Sequence, residues 1–192
     1  MRTIINIFVI LAIGLGVGSV TANYSLDRTY SLGAINTGPW SAWPFAGGSE
    51  VDPYTNARFT ANGTIPLGAA EGLTFEAITD SGGTPLRANC NYRVTGNTSA
   101  TRLWTLAAYS DNGKLVREDV EGLSAAFSGR IIRFPDSTFN IKLSKSPRSG
   151  NWMGLDGNDN FKLILRLYDT PITSNSGVIE PTMPDIVLEE CA

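Results

Sequence analysis

Apolar and polar residues alternate over several short stretches of this chain. Phe139, Ile141 and Leu143 alternate with Asn140, Lys142 and Ser144, and Phe161, Leu163, Leu165 and Leu167 alternate with Lys162, Arg166 and Tyr168. A period of two puts each apolar set on one face of a half-buried strand, with Ile164 as the exception in the second. Residues 73–79, 91–95, 103–109, 130–134 and 186–188 carry further strand signals, each bounded by turn formers such as Asp80-Ser81-Gly82-Gly83, Asp111-Asn112-Gly113 or Pro135-Asp136-Ser137. Helical signals are few. Asp52-Pro53 reads as an N-cap followed by a first helical residue, which predicts a short helix over residues 53–60 that Asn62-Gly63 ends. About seven to nine short strands and one short helix predict a mainly all-β fold, an antiparallel β-sandwich of jelly-roll type.

The N-terminus departs from this pattern. Residues 4–22 are apolar except for Asn6, Ser19, Thr21 and scattered glycines, and they follow Met1-Arg2-Thr3. Such a run nearly spans a hydrocarbon core of about 30 Å. Val20-Thr21-Ala22 also carries the small residues of a signal-peptidase site, so the segment reads as either a retained helical anchor or a cleaved leader. In both readings the remainder is exported. The expected organisation is residues 1–22 as anchor or signal, 23–49 as a tether with a first strand, and 50–192 as the sandwich. Trp40 and Trp43 follow the hydrophobic run and raise the idea of an interfacial aromatic belt.

Export changes the reading of the two cysteines. In an oxidising compartment Cys90 and Cys191 are expected to form a disulfide that ties the C-terminus to the sheet. The net charge of −3 provides no basic field, so no nucleic-acid partner is expected. The chain has no histidine, which removes Ser-His-Asp and Cys-His catalysis and His-ligated zinc. Asp156-Gly157-Asn158-Asp159-Asn160 spaces oxygens like a calcium loop, but Leu167 stands where an EF-hand needs its bidentate acid. No metal and no cofactor are expected.

Two kinds of chemistry remain. Asp52, Glu71, Glu76, Asp111 and Asp169 are candidates for a carboxylate pair of the glycosidase kind. Arg166 and Tyr168 lie on the polar face of the best-defined strand, and Asn151-Trp152 lies across a turn from it, with Arg93 on another strand. An arginine with aromatics on a sheet face suits a carbohydrate, a carboxylate or a peptide strand. The bland alternative places Trp104 and Trp152 in the core and pairs Arg166 with Asp169 or Glu71.

Several of these segments carry a family likeness. Leu86 to Tyr92 after Asp80-x-Gly, Leu103-Trp104-Thr105-Leu106 with Tyr109-Ser110-Asp111, Gly150-Asn151-Trp152 and Leu165-Arg166-Leu167-Tyr168 together resemble the bacterial "domain of unknown function 1214". The stretch from Asp52 to Ala57-Arg58 and Gly63 resembles the start of that domain, so the likeness covers roughly residues 50–190. Met153 and Ser110 depart from the family's usual residues. The chain is similar to the short, membrane-anchored form of alphaproteobacteria, without the second uncharacterised domain of longer members. The resemblance implies a β-sandwich of jelly-roll character at the bacterial inner membrane with a periplasmic domain, or in the periplasm if the leader is cleaved. It implies no activity and no catalytic residue. The combined expectation is a non-catalytic binding or interaction module, with the membrane and an unidentified small molecule, glycan or protein as partners. The alternative is a carboxylate-dependent enzyme acting on envelope carbohydrate.

Overall fold

The computed structural model describes residues 2–26, 34–49, 51–61, 64–68, 70–117, 124–173 and 181–191. Helix α1 (Arg2–Leu26) is apolar along most of its length and its apolar side chains are exposed, with Phe8, Ile10 and Leu15 about seven-tenths exposed. A hairpin, β1 (Ile35–Thr37) and β2 (Trp40–Ala42), turns at Gly38-Pro39 and leads to helix α2 (Pro53–Ala61), which α1 contacts. The Asp52 carboxylate accepts the N–H groups of Tyr54 and Thr55 at 3.0 Å, the expected N-cap. The Asn62-Gly63 stop lies outside the described residues. Then follow β3 (Gly72–Ala77), β4 (Cys90–Gly96), β5 (Leu103–Ser110), β6 (Ala125–Phe127), β7 (Phe139–Ser144), β8 (Asn151–Gly154), β9 (Phe161–Tyr168) and β10 (Asp185–Cys191).

The strands form two sheets. One has six strands in the order β1-β2-β3-β9-β5-β6, and the other has four in the order β10-β4-β7-β8. Every pair is antiparallel except β7 with β8, which run parallel. The expected mainly-β, two-sheet fold is therefore present, with one parallel edge pair that local patterning does not reveal. The hairpin upstream of residue 50 is part of the large sheet.

The core lies between the sheets and follows the two-residue period. In the large sheet, Ala42, Phe75, Leu165 and Leu106 form one inward row, with Trp40, Ala77, Leu163 and Ala108 as the next. Val94, Ile141 and Ile186, and then Tyr92, Leu143 and Met153, face them from the small sheet. Trp40 and Trp43 are buried and do not form an interfacial belt; the Trp40 Nε1–H donates to the Pro184 carbonyl at 2.7 Å, joining the sheets. Ile164 points to the outer face and is nevertheless buried, and neighbouring Lys162 is buried beside Glu76, 3.3 Å away. The disulfide Cys90–Cys191 forms between directly paired residues of β4 and β10.

At the mouth of β3, Gly72 (φ +154°) pairs with Tyr168, and a Cβ there would lie 2.0 Å from the Leu167 carbonyl oxygen. Backbone cannot give way as a flexible side chain can. Gly72→Ala should therefore destabilise the domain by about 2–3 kcal/mol, read as a lower urea midpoint. An unchanged midpoint would show that this strand pair can spread at no cost.

Candidate functional site

The five sequence-derived binding residues divide between opposite sides of the sandwich. Arg166 and Tyr168 occupy outward positions of β9. Arg166 is flanked in register by Thr74 and Thr105, and its guanidinium lies 5.8 Å from the Tyr109 ring. Its anticipated acid partners are engaged elsewhere: Asp169 pairs with Arg102 at 3.4 Å, and the Glu71 carboxylate accepts the Gly68 N–H at 3.2 Å. Arg93 and Trp152 lie on the outer face of the other sheet, in the row Val187, Arg93, Lys142, Trp152. The core separates the two groups, so the five do not converge on one site. Trp104 is a core residue, as the bland reading has it, whereas Trp152 is half-buried.

The small-sheet side has more of the features of a ligand site. Residues 130–134, expected as a strand, make a single bridge, Arg133 to Phe139, and cross the end of β7 as a flap. Asn151 holds this flap. Its Oδ1 accepts the Ile132 N–H at 2.7 Å, and its Nδ2 donates to the carbonyls of Ile132 (2.8 Å) and Asn140 (2.9 Å). At the tip of the flap, the Thr138 hydroxyl at 2.7 Å and then its N–H keep the Asp136 carboxyl below the ordinary carboxylate range. Trp152 closes the strand edge by donating its indole N–H to the Ser144 hydroxyl at 2.9 Å, with Arg117 lying 5.9 Å from its ring. Gly154 makes room for Arg117, because a Cβ there would lie 2.8 Å from the Arg117 Cδ.

Between the flap and β7 is a cleft of about 250 Å³ whose walls include Ile132, Phe134, Asn140, Lys142, Ser149 and Asn151. Ile132 and Phe134 are 69% and 55% exposed, large apolar side chains standing over the opening. The Asn140 Oδ1 is buried and accepts no hydrogen bond. An acceptor in that state carries a desolvation cost that a bound donor would remove. Lys142 makes no ion pair among the described residues. On β10, beyond β4, Glu189 pairs with Arg93 at 3.0 Å and Glu190 with Arg148 at 3.3 Å.

Sequence reasoning placed Asn140 and Lys142 on the solvent face of their strand but did not identify them as site residues. Their signal is the alternation itself; the flap that makes a cleft of that face comes from a side-chain clamp that no local pattern announces.

The candidate acids have structural roles. Asp52 caps α2, Glu71 bonds Gly68, Glu76 pairs with Lys162, Asp169 pairs with Arg102, and Asp111 is also engaged. In the calcium-like loop, Asp156 accepts its neighbour Gly157 N–H at 2.8 Å and Asn158 accepts the Lys145 ammonium at 2.9 Å. This is turn chemistry. Among the described residues no group of three acid, His or Cys side chains is placed to hold a metal.

Strands β3 to β9, which include the central strands of both sheets, fall within a family match spanning residues 71–172, described as "Protein of unknown function (DUF1214)"; the chain belongs to that family. Among solved structures it is similar to the VPA0106 protein from Vibrio parahaemolyticus, at 18% identity and a TM-score of 0.58, over 73% of this chain and 36% of that one. It is also similar to an uncharacterized protein from Burkholderia cenocepacia, at 22% identity and a TM-score of 0.40, over 66% of this chain and 31% of that one. The chain thus spans about a third of the length of each, and the first likeness supports the fold alone. No curated protein matches the chain.

Proposed function

We propose that this protein is a membrane-tethered, non-catalytic binding module of the bacterial envelope, and that its cleft between β7 and the 130–134 flap holds a small amphipathic anion. The observation that carries the reading is the pairing of an unengaged ammonium, Lys142, with a buried, unbonded acceptor, Asn140 Oδ1, beneath two exposed apolar side chains. A carboxylate at Lys142, a hydroxyl donating to Asn140 and a short alkyl body against Ile132 and Phe134 would complement all three. A neutral glycan would leave the ammonium unmatched. Tethering is supported by α1, which is long and apolar enough to cross a bilayer, and an oxidising compartment by the disulfide. No candidate acid lines this cleft, and no observation favours the carbohydrate-cleaving alternative.

The test is a titration of the full chain with 3-hydroxyhexanoate, hexanoate and the uncharged 3-hydroxyhexanamide. The hydroxy acid should bind best. Because a hydrogen bond to a charged group contributes about 1.5–3 kcal/mol, the amide, or the acid on Lys142→Met, should bind at least about ten-fold more weakly. Equal binding by the variant, or binding by none of the three, would refute the assignment.

A further inference from the structure

The surroundings of α2 carry a second surface. Its inner side is occupied: Thr55 is buried, the Phe59 ring meets Trp43 edge-on at 6.1 Å, and the Arg58 guanidinium lies 4.3 Å over the same indole. Three large side chains in this region are left outside. Phe45, in the turn after β2, is 69% exposed; Tyr54, in the first turn of the helix, is 53% exposed; Ile65, just past its end, is 96% exposed. An isolated exposed apolar residue needs no explanation, but three flanking one short helix do.

The neighbour of this region identifies what covers them. Helix α1 packs against α2, and the apolar surface of α1 is bare from Ile4 to Val20. A helix of that kind resides in lipid, so the segment touching it lies at the bilayer surface. We infer that α2 and its two flanking loops seat on the membrane around the anchor, with Phe45, Tyr54 and Ile65 entering the interfacial layer.

The chemistry of the contact follows from the charges. Between residues 34 and 79 the basic side chain is Arg58, which covers Trp43, whereas Glu50, Asp52, Glu71 and Glu76 are acidic. Attraction to anionic headgroups is therefore not what holds this face, and apolar insertion is. The contact should be indifferent to salt and to the fraction of anionic lipid. It would also hold the sandwich in a fixed attitude to the bilayer, where a tether alone would let it tumble.

The inference rests on the reading of α1 as a retained anchor, and the test keeps the two apart. The full chain with Ile65→Trp is purified from cell membranes, weighed by mass spectrometry and reconstituted in phosphatidylcholine vesicles carrying brominated acyl chains. Emission is taken as the difference from the unchanged protein. Tyr54→Trp is a second reporter, and Phe134→Trp, on the cleft flap, is the reference. The indoles added at 65 and 54 should lose most of their emission to the brominated chains at low and high salt alike, while the indole added at 134 keeps its own. A full-length mass with unquenched indoles at both 65 and 54 overturns the membrane contact. A mass lacking residues 1–22 overturns the anchor reading beneath it.

Discussion

Cys191→Ser lowers the stability of the oxidised protein by about 4–5 kcal/mol, the loop-closure entropy returned to the unfolded chain when a bridge across some hundred residues is lost. The two cysteines are 101 positions apart and sit opposite each other at the ends of β4 and β10. Strand β10 is an edge strand. It has β4 on one side, and on the other, among the described residues, the bonds around Ser81, whose N–H donates to the Ile186 carbonyl at 2.8 Å and whose hydroxyl accepts the Ile186 N–H at 3.0 Å. Without the bridge, its last residues are held by the β4 ladder and by the solvent-exposed pairs of Glu189 with Arg93 and Glu190 with Arg148, which contribute little. Urea unfolding checks this directly. The unchanged protein in reductant should fall to the midpoint of the variant, and reductant should not move the variant. Equal midpoints for variant and oxidised parent would mean that the bridge contributes nothing to the native state.

Phe75→Ala costs about 3–5 kcal/mol, the usual penalty for emptying a large aromatic site in a packed core. Phe75 is fully buried in the row Ala42, Phe75, Leu165, Leu106, where the central strands of the large sheet face the small one. Leu103→Ala supplies the contrast. Leu103 lies in the same sheet but is 39% exposed, so its truncation should move stability by no more than about 0.5 kcal/mol. Similar losses at both positions would mean that the sheet interior is not where the stability resides.

Much of this architecture was legible in the sequence because it is written in short-range periodicity. The inward faces of β7 and β9 are the residues whose alternation marked them, and Asp52-Pro53 starts its helix as the capping chemistry requires. Strand β8, four residues long, was not legible, and neither was β6, with three. Strands that short carry no period, and the parallel pairing of β8 depends on β7 being in place. Residues 130–134 have strand composition but form one bridge in place of a ladder, and Asn151 fixes them. The site failed to converge for a topological reason. β8 and β9 are consecutive in sequence and separated by one Gly-rich turn, yet they belong to different sheets, so Trp152 and Arg166 face opposite ways. The pairing of Arg166 with Asp169 failed locally. Asp169 adopts φ +52° past the strand end, and its carboxylate meets Arg102. The resemblance identified the family correctly, and the family match falls within the span of the likeness.

The most direct test of the central claim, that the flap cleft is a binding site, is a map of backbone amide shifts in the isotope-labelled full chain as 3-hydroxyhexanoate is added. The perturbed amides should cluster at Ile132, Arg133, Asn140, Lys142, Ser149 and Asn151, and the cluster should vanish in Lys142→Met. Shifts centred on Arg166 and Tyr168, on the opposite face, or no saturable shifts at all, would contradict the account.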